Sequence, residues 1–312
     1  MSASHLSHQA EWVRQRERSN SSMLRLMTWI SLRLGRRLSR VVLLGISLYF
    51  LLFARDARHA SRNYLRHVLQ RPPRLGEIFR HFHSFAACIH DRIYLLNDRF
   101  DLFDIEVHGD ALIKAVLASG QGAILMGAHM GSFEVVRAVG RQQPGLRVAM
   151  VMYEENARKI NAALAAINPA AIQDIIPLGQ LDSMLRVQAR LDEGLVLGVL
   201  ADRTLDSDPA LALPFLGEPA EIPLGPMRLA AILKRPVLFM CGVYLGGNRY
   251  AIHFEPLADF THIERKERDA AIRQAVAAYA DCLERHCRAT PFNWFNFFDF
   301  WRPSSNARRD PA

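Results

Sequence analysis

The segment from Gly122 to Glu134 (GAILMGAHMGSFE) carries a histidine and a glutamate in an arrangement suited to acid–base chemistry, because His129 precedes Glu134 by five positions. A neutral imidazole can accept a proton from a hydroxyl, and a carboxylate on its other nitrogen would fix the tautomer and stabilise the imidazolium ion. The pair would supply the base and the orienting group of a triad without a protein nucleophile. The alternative is a lone histidine followed by a glutamate that the dipole of a helix start favours.

The residues around His129 predict where the sheet would place it. Ala123–Met126 is a short apolar run of the length expected for a buried strand, and small residues follow it. Ser132 could cap a helix that begins at Phe133. This order of strand, tight turn, histidine and helix puts the imidazole at the carboxyl end of a parallel strand, where open α/β sheets collect their active sites.

Strands and helices alternate through the middle of the chain. The pattern predicts further strands at Phe103–Val107, Leu146–Met152, Ile172–Leu178 and Leu195–Ala201, with helices between them. Two antiparallel strands are expected at Pro236–Tyr244 and Arg249–Glu255, followed by a long helix over Ile263–Ala289. The predicted fold class is α/β, with a mostly parallel central sheet flanked by helices.

Asp202 and Arg203 follow the strand predicted at Leu195–Ala201. By the logic of a parallel sheet they lie on the rim that also holds His129. The alternative is an aspartate at a strand end that only caps a loop.

Three blocks of sequence resemble a known family. They are AHMGSFE, then VLADR some 70 residues later, and then LPFLGEPAEIPLGPMRLA. Together, over roughly Phe79 to Trp301, they resemble the lysophospholipid acyltransferase superfamily, and most of all its lipid A lauroyl/myristoyl transferase branch, where the carboxylate is a glutamate. The resemblance implies a glycerolipid acyltransferase-like fold. It also implies an O-acyltransferase that needs no cofactor, with an acyl carrier protein or coenzyme A thioester as donor.

The resemblance also implies roles for individual residues. His129 would deprotonate the acceptor hydroxyl and Glu134 would orient it, while Asp202 and Arg203 would line the acceptor or phosphate side. An oxyanion needs donors aimed at it, and the backbone amides near Gly131 and Ser132 are the expected ones. An acyl-enzyme on Ser132 is less favoured, because the chain has no G-x-S-x-G at this position.

Two further positions are expected to bind substrate. Gly225 precedes Pro226 at a predicted helix start, where backbone amides could hold an anion. The lipid A branch usually has an arginine between the motif strand and the aspartate strand, but the matching stretch Ile176–Gln180 has none. Arg158 or Arg203 could substitute for it.

The missing arginine leaves the acceptor open. It could be a lipid A-like disaccharide, another glycolipid, an ornithine-type lipid or a lipid linked to an aryl polyene, acylated at a hydroxyl or an amine. A membrane-associated scaffold of the same fold that has lost catalysis is the alternative function. The intact pair of His129 and Glu134 argues against it, since nothing structural requires both.

Composition favours an anionic partner. The 312 residues carry a formal net charge of +8, and the isoelectric point is near 9.7. Anionic membrane lipid and an acidic carrier protein both fit this charge, whereas nucleic acid does not, because no recognition motif accompanies the arginines. The four cysteines form no C-x-x-C pair, so reduced thiols and no metal site are expected. His81, His83 and His90 are interpreted as the surface of a helix.

The chain divides into four predicted parts: a polar tail at 1–22, a membrane-associating helical segment at 23–58, an acyltransferase domain at 59–302, and a tail at 303–312. Val41–Ala54 is free of charge, but its 14 residues would span only about 21 Å of helix, short of the roughly 30 Å of hydrocarbon in a bilayer. A shallow surface anchor is favoured over a tilted span or a core helix. We expect the protein at the cytoplasmic face of a bacterial inner membrane.

The aromatic segment Trp294–Trp301 (WFNFFDFW) is the last feature. It is expected to close the core, the alternative being an aromatic patch at the membrane interface. The sequence predicts no oligomeric state.

Overall fold

The computed structural model of the protein describes residues 21–142, 145–168, 175–178, 182–203 and 209–301. Its strands are β1 (Asp104–His108), β2 (Ala123–Gly127), β3 (Val148–Tyr153), β4 (Ile175–Leu178), β5 (Val196–Leu200), β6 (Ala210–Phe215), β7 (Glu218–Pro223), β8 (Pro236–Gly246) and β9 (Arg249–Asp259). Of the predicted N-terminal tail at 1–22, residues 1–20 lie outside the described residues, and so does the whole predicted C-terminal tail at 303–312.

The helices follow the predicted alternation with the strands. They are α1 (Ser21–Phe53), α2 (Arg55–Leu69), α3 (Leu75–Leu96), α4 (Asp110–Ser119), α5 (Phe133–Gln142), α6 (Glu154–Ile167), α7 (Ser183–Asp192), α8 (Gly225–Leu233) and α9 (Arg268–Ala289). A short 3₁₀ turn, Phe100–Leu102, precedes β1.

Seven strands form one sheet in the order β1–β9–β8–β2–β5–β3–β4. The five strands from β8 to β4 run parallel, whereas β9 is antiparallel to β8 and parallel to β1. The predicted α/β class with a mostly parallel sheet is confirmed, as is the hairpin of β8 and β9. Strands β6 and β7 form a separate two-stranded ribbon.

Helices cover both faces of the sheet, which explains why its central strand is uniformly apolar. All five residues of β2 are buried, as expected for a parallel strand that is covered on two sides. One face carries a core that includes Tyr64, Leu283 and Trp294, and the other face a core that includes Leu95 and Val135. The fully buried Trp294 confirms that the aromatic segment closes the core.

Over residues 27–53, where its side chains are described, helix α1 places most of its large apolar side chains on the outside. Its buried positions include Ser31, Ser39 and Ser47, and two of these serine hydroxyls bond to carbonyls of their own helix. Its exposed side chains are mostly large and apolar: Trp29, Leu32, Leu34, Leu38, Val41, Val42, Leu44, Leu48, Tyr49, Phe50, Leu52 and Phe53. This pattern is the reverse of that in a helix that packs on a core in water. Below, these exposed side chains are called the outer apolar face of α1.

Among the described residues, no single helix has both the length and the apolar character needed to cross a bilayer. Helices α1 and α2 meet these requirements only as a pair, and their axes differ by 93° between Met27–Phe53 and Arg55–Leu69.

A buried ion pair fastens α1 to the rest of the fold. Just after a left-handed kink at Gly35, the Arg36 guanidinium donates two hydrogen bonds of 2.8 Å to the carboxylate of Asp91 in α3. The hydroxyl of Tyr250 in β9 donates to the same carboxylate at 2.8 Å. Asp91 is completely buried. Burial alone raises its pKa, but the neighbouring His90, the hydrogen bonds from Arg36 and Tyr250, and the charge of Arg36 lower it below the usual range. The carboxylate therefore stays ionised inside the protein.

The histidines of α3 correct one interpretation from the sequence. His81 and His90 are buried rather than on the helix surface, because α3 lies between α1, α2 and the sheet. The imidazole of His81 contacts the Ser61 hydroxyl and the carbonyl of Trp294, both at 2.9 Å. Burial lowers the pKa of His81 to about 4, so it serves as a neutral link between α2, α3 and the aromatic segment.

We expect Asp91→Ala to lower the free energy of unfolding by about 3 kcal/mol, because it leaves the Arg36 cation partly buried without its partner. Thermal or urea unfolding of the detergent-solubilised protein measures the change. Asp101→Ala is the control, since Asp101 forms a solvent-exposed pair with Arg99, and it should leave the unfolding midpoint where it is. Equal midpoints for the two variants would show that the buried pair contributes nothing to stability.

Candidate active site

The candidate site forms where β2 and β5 end side by side. Gly127 is paired with Leu200 at the carboxyl ends of the two parallel strands, and the Ala201 amide donates to the Gly127 carbonyl at 3.0 Å. Both chains then leave the sheet at the same rim. This register brings His129, two residues beyond β2, next to Asp202, two residues beyond β5.

His129 and Asp202 form a direct imidazole–carboxylate pair. Nδ1 of His129 lies 2.8 Å from Oδ1 of Asp202, and the backbone amide of His129 donates to Oδ2 at 3.0 Å. A carboxylate at Nδ1 places the ring proton on that nitrogen and leaves Nε2 as the acceptor. The imidazole is 31% exposed while the carboxylate is fully buried, so the pair has the geometry of a general base with its orienting group. The predicted position of Asp202 on the rim of His129 is confirmed.

Four N–H donors surround the Asp202 carboxylate. The two from His129 are joined by the indole Nε1 of Trp294 at 2.9 Å and the amide Nδ2 of Asn296 at 3.3 Å, both of which donate to Oδ2. Burial alone would raise the pKa of Asp202, but the charge and hydrogen bonds of His129 and the nearby charge of Arg203 hold it well below its usual range. Asp202 is therefore ionised at any pH at which the protein would work.

The pKa of His129 lies below its ordinary value. Desolvation by the surrounding protein is the largest cause, and the positive charge of Arg203 acts in the same direction. The carboxylate of Asp202 opposes both, because it stabilises the imidazolium form. The net effect leaves His129 neutral at neutral pH, which is the state that can accept a proton.

Glu134 does not hold the position expected from its spacing. The carboxylate on Nδ1 of His129 is that of Asp202. Glu134 is buried in the first turn of α5, where its Oε2 accepts a hydrogen bond of 3.2 Å from Nε of Arg137. The physical reason is helical periodicity, because residues three apart lie on the same face of a helix. The role of Glu134 in catalysis stays a prediction.

The backbone amides expected to form an oxyanion hole already have acceptors. The amide of Gly131 donates to the carbonyl of Asn293 at 2.8 Å, and that of Ser132 donates to the carbonyl of Gly242 at 2.7 Å. Gly131 has φ of 62°, and a Cβ there would lie 2.0 Å from the Gly242 carbonyl oxygen, so only glycine fits. Both amides bond the loop between β2 and α5 (residues 128–132, called the motif loop) to the rest of the fold. This corrects their predicted role as oxyanion donors.

The structure also shows where the three remaining predicted substrate-binding residues lie, which are Arg158, Arg203 and Gly225. Arg203 is beside Asp202, its Nε donates to Oδ1 of Asn296 at 3.1 Å, and its guanidinium lies 5.4 Å from the ring centre of Phe298. Arg158 is exposed in the second turn of α6, a helix that begins at the same rim of the sheet. Gly225 is exposed as the first residue of α8, with Pro226 following it as predicted. Substrate binding by all three stays a prediction.

Sequence reasoning missed Trp294 and Asn296 as parts of the site. They are more than 90 positions away from Asp202 along the chain, and their aromatic surroundings indicated only packing. The available signal was the asparagine itself, a side chain with two donors and an acceptor inside a run of aromatic residues.

Within the described part of the chain, one group of side chains has the geometry to hold a metal ion, formed by Glu255, Cys282 and His286. Its carboxylate already accepts from Nε2 of His286 at 2.6 Å and is paired with Arg285 at 2.7 Å. These contacts account for the group as an ion-pair cluster beside β9. All four cysteines are free, buried thiols.

The sequence profile of the bacterial lipid A biosynthesis acyltransferases matches residues 75–303. Among the curated proteins compared with the chain, none matches it. The matched region covers well over half of the chain and includes β2, His129, Asp202 and the aromatic segment. The chain therefore belongs to the bacterial lipid A biosynthesis acyltransferase family and is an O-acyltransferase.

Proposed function

We propose that the protein transfers a fatty acyl group from the thioester of an acyl carrier protein or coenzyme A to a hydroxyl of a membrane lipid, with a lipid A-type disaccharide as the leading acceptor. The observation that supports this most is the pair of His129 and Asp202 at the strand-end rim, with Nδ1 of His129 on the carboxylate. The pair activates an alcohol and requires no metal or covalent intermediate on the protein.

The reaction follows from the tautomer of His129. Nε2 removes the proton of the acceptor hydroxyl as its oxygen attacks the thioester carbonyl carbon, and Asp202 stabilises the imidazolium that forms. The tetrahedral intermediate then collapses, the carbon–sulfur bond breaks, and the imidazolium returns its proton to the departing thiolate. The products are an ester and a free thiol, and His129 is again neutral.

The developing oxyanion requires a donor other than the amides of the motif loop, which are bonded elsewhere. Arg203 is the leading candidate, because it is a cation close enough to His129 to lower the pKa of the imidazole. A charged donor in a site with little water stabilises an oxyanion more strongly than the same donor in bulk solvent. The same residue could instead bind a phosphate of the acceptor, as the family resemblance implies.

The N-terminal helices support a site of action at the membrane. The outer apolar face of α1 exposes side chains such as Leu38, Val41 and Phe53, each more than 60% accessible. The exposed side of α2 then carries a row of basic side chains spaced four, three and four residues apart: Arg55, His59, Arg62 and Arg66. An apolar face beside a basic face is typical of a helix pair at an anionic lipid surface. We place the protein at the cytoplasmic face of the inner membrane, where a carrier-protein or coenzyme A thioester is available.

The first test uses the purified protein with radiolabelled acyl carrier protein or coenzyme A thioesters, and an underacylated lipid A disaccharide or total bacterial lipid. We expect His129→Ala to abolish the movement of label into lipid, and His262→Ala, which changes an exposed histidine in the loop before α9, to retain it.

The wild-type rate should also depend on pH in a defined direction. As pH falls through the pKa of His129, the imidazole gains a proton and kcat/KM decreases. Because that pKa is lowered, the midpoint should lie below the usual value of about 6.5. Full activity of His129→Ala would contradict the mechanism. No transfer by the wild type to any of these lipids would favour the inactive scaffold.

The two carboxylates can be separated by neutral isosteres. We expect Asp202→Asn to lower kcat by roughly 10³-fold or more, because an amide at Nδ1 no longer fixes the reactive tautomer or stabilises the imidazolium. Glu134→Gln should have a smaller effect on kcat, since Glu134 accepts a hydrogen bond from Arg137. Single-turnover rates with a saturating donor would measure both. The opposite order of effects would assign the orienting role to Glu134, as the spacing alone predicts.

Membrane attachment should depend on the outer apolar face of α1. We expect the combined change Leu38→Gln, Val41→Gln, Leu48→Gln and Leu52→Gln to release the protein from vesicles of anionic phospholipid in a sedimentation assay, because it removes apolar area that would enter the lipid. The combined change Leu75→Gln, Leu185→Gln and Ile232→Gln is the control, since these apolar side chains lie outside α1 and are more than half exposed. Continued sedimentation of the α1 variant would place the membrane contact elsewhere.

A further inference from the structure

The aromatic segment is joined by backbone hydrogen bonds to the loop that carries His129. The Gly131 amide donates to the Asn293 carbonyl at 2.8 Å, and the Phe295 amide donates to the His129 carbonyl at 2.7 Å. Between them, Met130 and Trp294 form an antiparallel bridge. Residues 293–295 are thus paired with residues 129–131, and this pairing fixes the position of the Trp294 backbone beside the loop that carries His129.

Donors are divided unequally between the two oxygens of Asp202. Oδ2 accepts from the His129 amide, from Nε1 of Trp294 and from Nδ2 of Asn296, whereas Oδ1 is the oxygen at Nδ1 of His129. A carboxylate held through one oxygen by several donors cannot rotate about its Cβ–Cγ bond without breaking them. Oδ1 is therefore fixed in direction, and so is the imidazole ring that donates to it.

The indole that supplies one of these donors is packed among three aromatic rings. Trp294 is completely buried, and its ring centre lies 5.1 Å from that of Tyr64, 5.3 Å from Phe215 and 4.8 Å from Phe300. Its carbonyl oxygen is bonded to His81. The LPFLG block at residues 213–217, which contains Phe215, therefore packs against the indole that donates to Asp202. A rigid aromatic ring with one directed N–H is well suited to fixing an anion.

We propose that Trp294 is a positioning residue for the transfer reaction: its indole N–H fixes the direction and the basicity of the Asp202 carboxylate, and through it the proton affinity of Nε2 of His129. This inference rests on the proposed role of His129 as the general base. Trp294 acts on the substrate only through Asp202 and His129.

The number of hydrogen-bond donors at Asp202 decides whether the pKa of His129 rises or falls when Trp294 is replaced. Removing the indole N–H leaves the carboxylate with one fewer donor, so its negative charge is less dispersed and it binds the Nδ1 proton more strongly. That stabilises the imidazolium form of His129 and raises its pKa. Because the rate requires neutral His129, the acidic limb of the pH–rate profile moves to higher pH, while the looser carboxylate lowers the limiting kcat.

The decisive experiment compares Trp294→Phe with Trp301→Phe. Trp301 lies in the same aromatic segment, but its indole N–H donates to the Phe215 carbonyl at 3.3 Å and not to Asp202. We expect Trp294→Phe to lower kcat about tenfold and to move the acidic limb of kcat/KM upward by about 0.5 pH unit, with KM for the donor little changed. Trp301→Phe should leave the acidic limb in place.

A double-mutant cycle separates positioning from packing. If Trp294 acts through the carboxylate, Trp294→Phe should cost little further activity in an Asp202→Asn background. Additive losses, or equal effects of Trp294→Phe and Trp301→Phe with no movement of the acidic limb, would overturn the proposal. If His129→Ala keeps wild-type activity, His129 is not the base. That outcome does not depend on either tryptophan variant, so it is distinguishable from a failure of the Trp294 proposal alone.

A shape-preserving substitution covers the case in which Trp294→Phe fails to fold. Benzothienylalanine introduced at position 294 by nonsense suppression replaces the indole N–H by sulfur and retains the bicyclic ring. It should reproduce the upward shift of the acidic limb with an unchanged melting temperature. A folded variant with the wild-type pH profile would overturn the proposal.

Discussion

The site depends on keeping the Asp202 carboxylate charged where water does not reach it. An isolated ionised carboxylate in a protein interior is strongly unfavourable unless hydrogen bonds and an opposite charge replace its hydration. Here the replacement comes from three parts of the chain: the loop after β2, the aromatic segment at residues 294–296, and Arg203 beside the aspartate itself. The strand register, the turn at Gly131 and the packing of the aromatic segment bring these groups to the carboxylate. His129 acquires its tautomer as a consequence.

The sequence predicts the positions of strands and helices, because these follow from the periodicity of apolar residues. It does not predict which way a polar side chain points. The periodicity of apolar residues predicts the buried strand β2 and the alternation of strands and helices. The geometry of a parallel sheet then predicts that His129 and Asp202 meet at one rim. Neither predicts the partner of each polar group. Five positions separate His129 from Glu134, but the direction of the Glu134 side chain depends on the helix that starts between them, and Arg137 is next to it on that helix.

The other misses share a cause, because all involve groups joined by tertiary structure. The sequence does not show that the backbone amides of Gly131 and Ser132 donate to the carbonyls of Asn293 and Gly242, which are distant in the chain. The histidines of α3 look exposed until α2 and the aromatic segment cover them. The aromatic segment is expected to close the core, and the burial of Trp294 agrees with this, yet the indole nitrogen is the atom that contacts the site. Composition does not show which buried aromatic residue also carries a directed hydrogen bond.

The inverted pattern of α1 has a consequence for how the protein folds. Among the α1 residues whose side chains are described, few apolar ones pack on the domain, Leu43 being one. Ser31, Ser39, Ser47 and Arg36 face inward, and most of the large apolar groups face outward. In water, hydrophobic burial would therefore contribute little to docking this helix, and its outer face would remain in contact with solvent. At the membrane surface proposed above, lipid would be the second solvent that covers the outer apolar face of α1. Because Arg36 in the same helix neutralises Asp91 inside the domain, binding of that face to lipid would be thermodynamically linked to completion of the tertiary fold, each favouring the other.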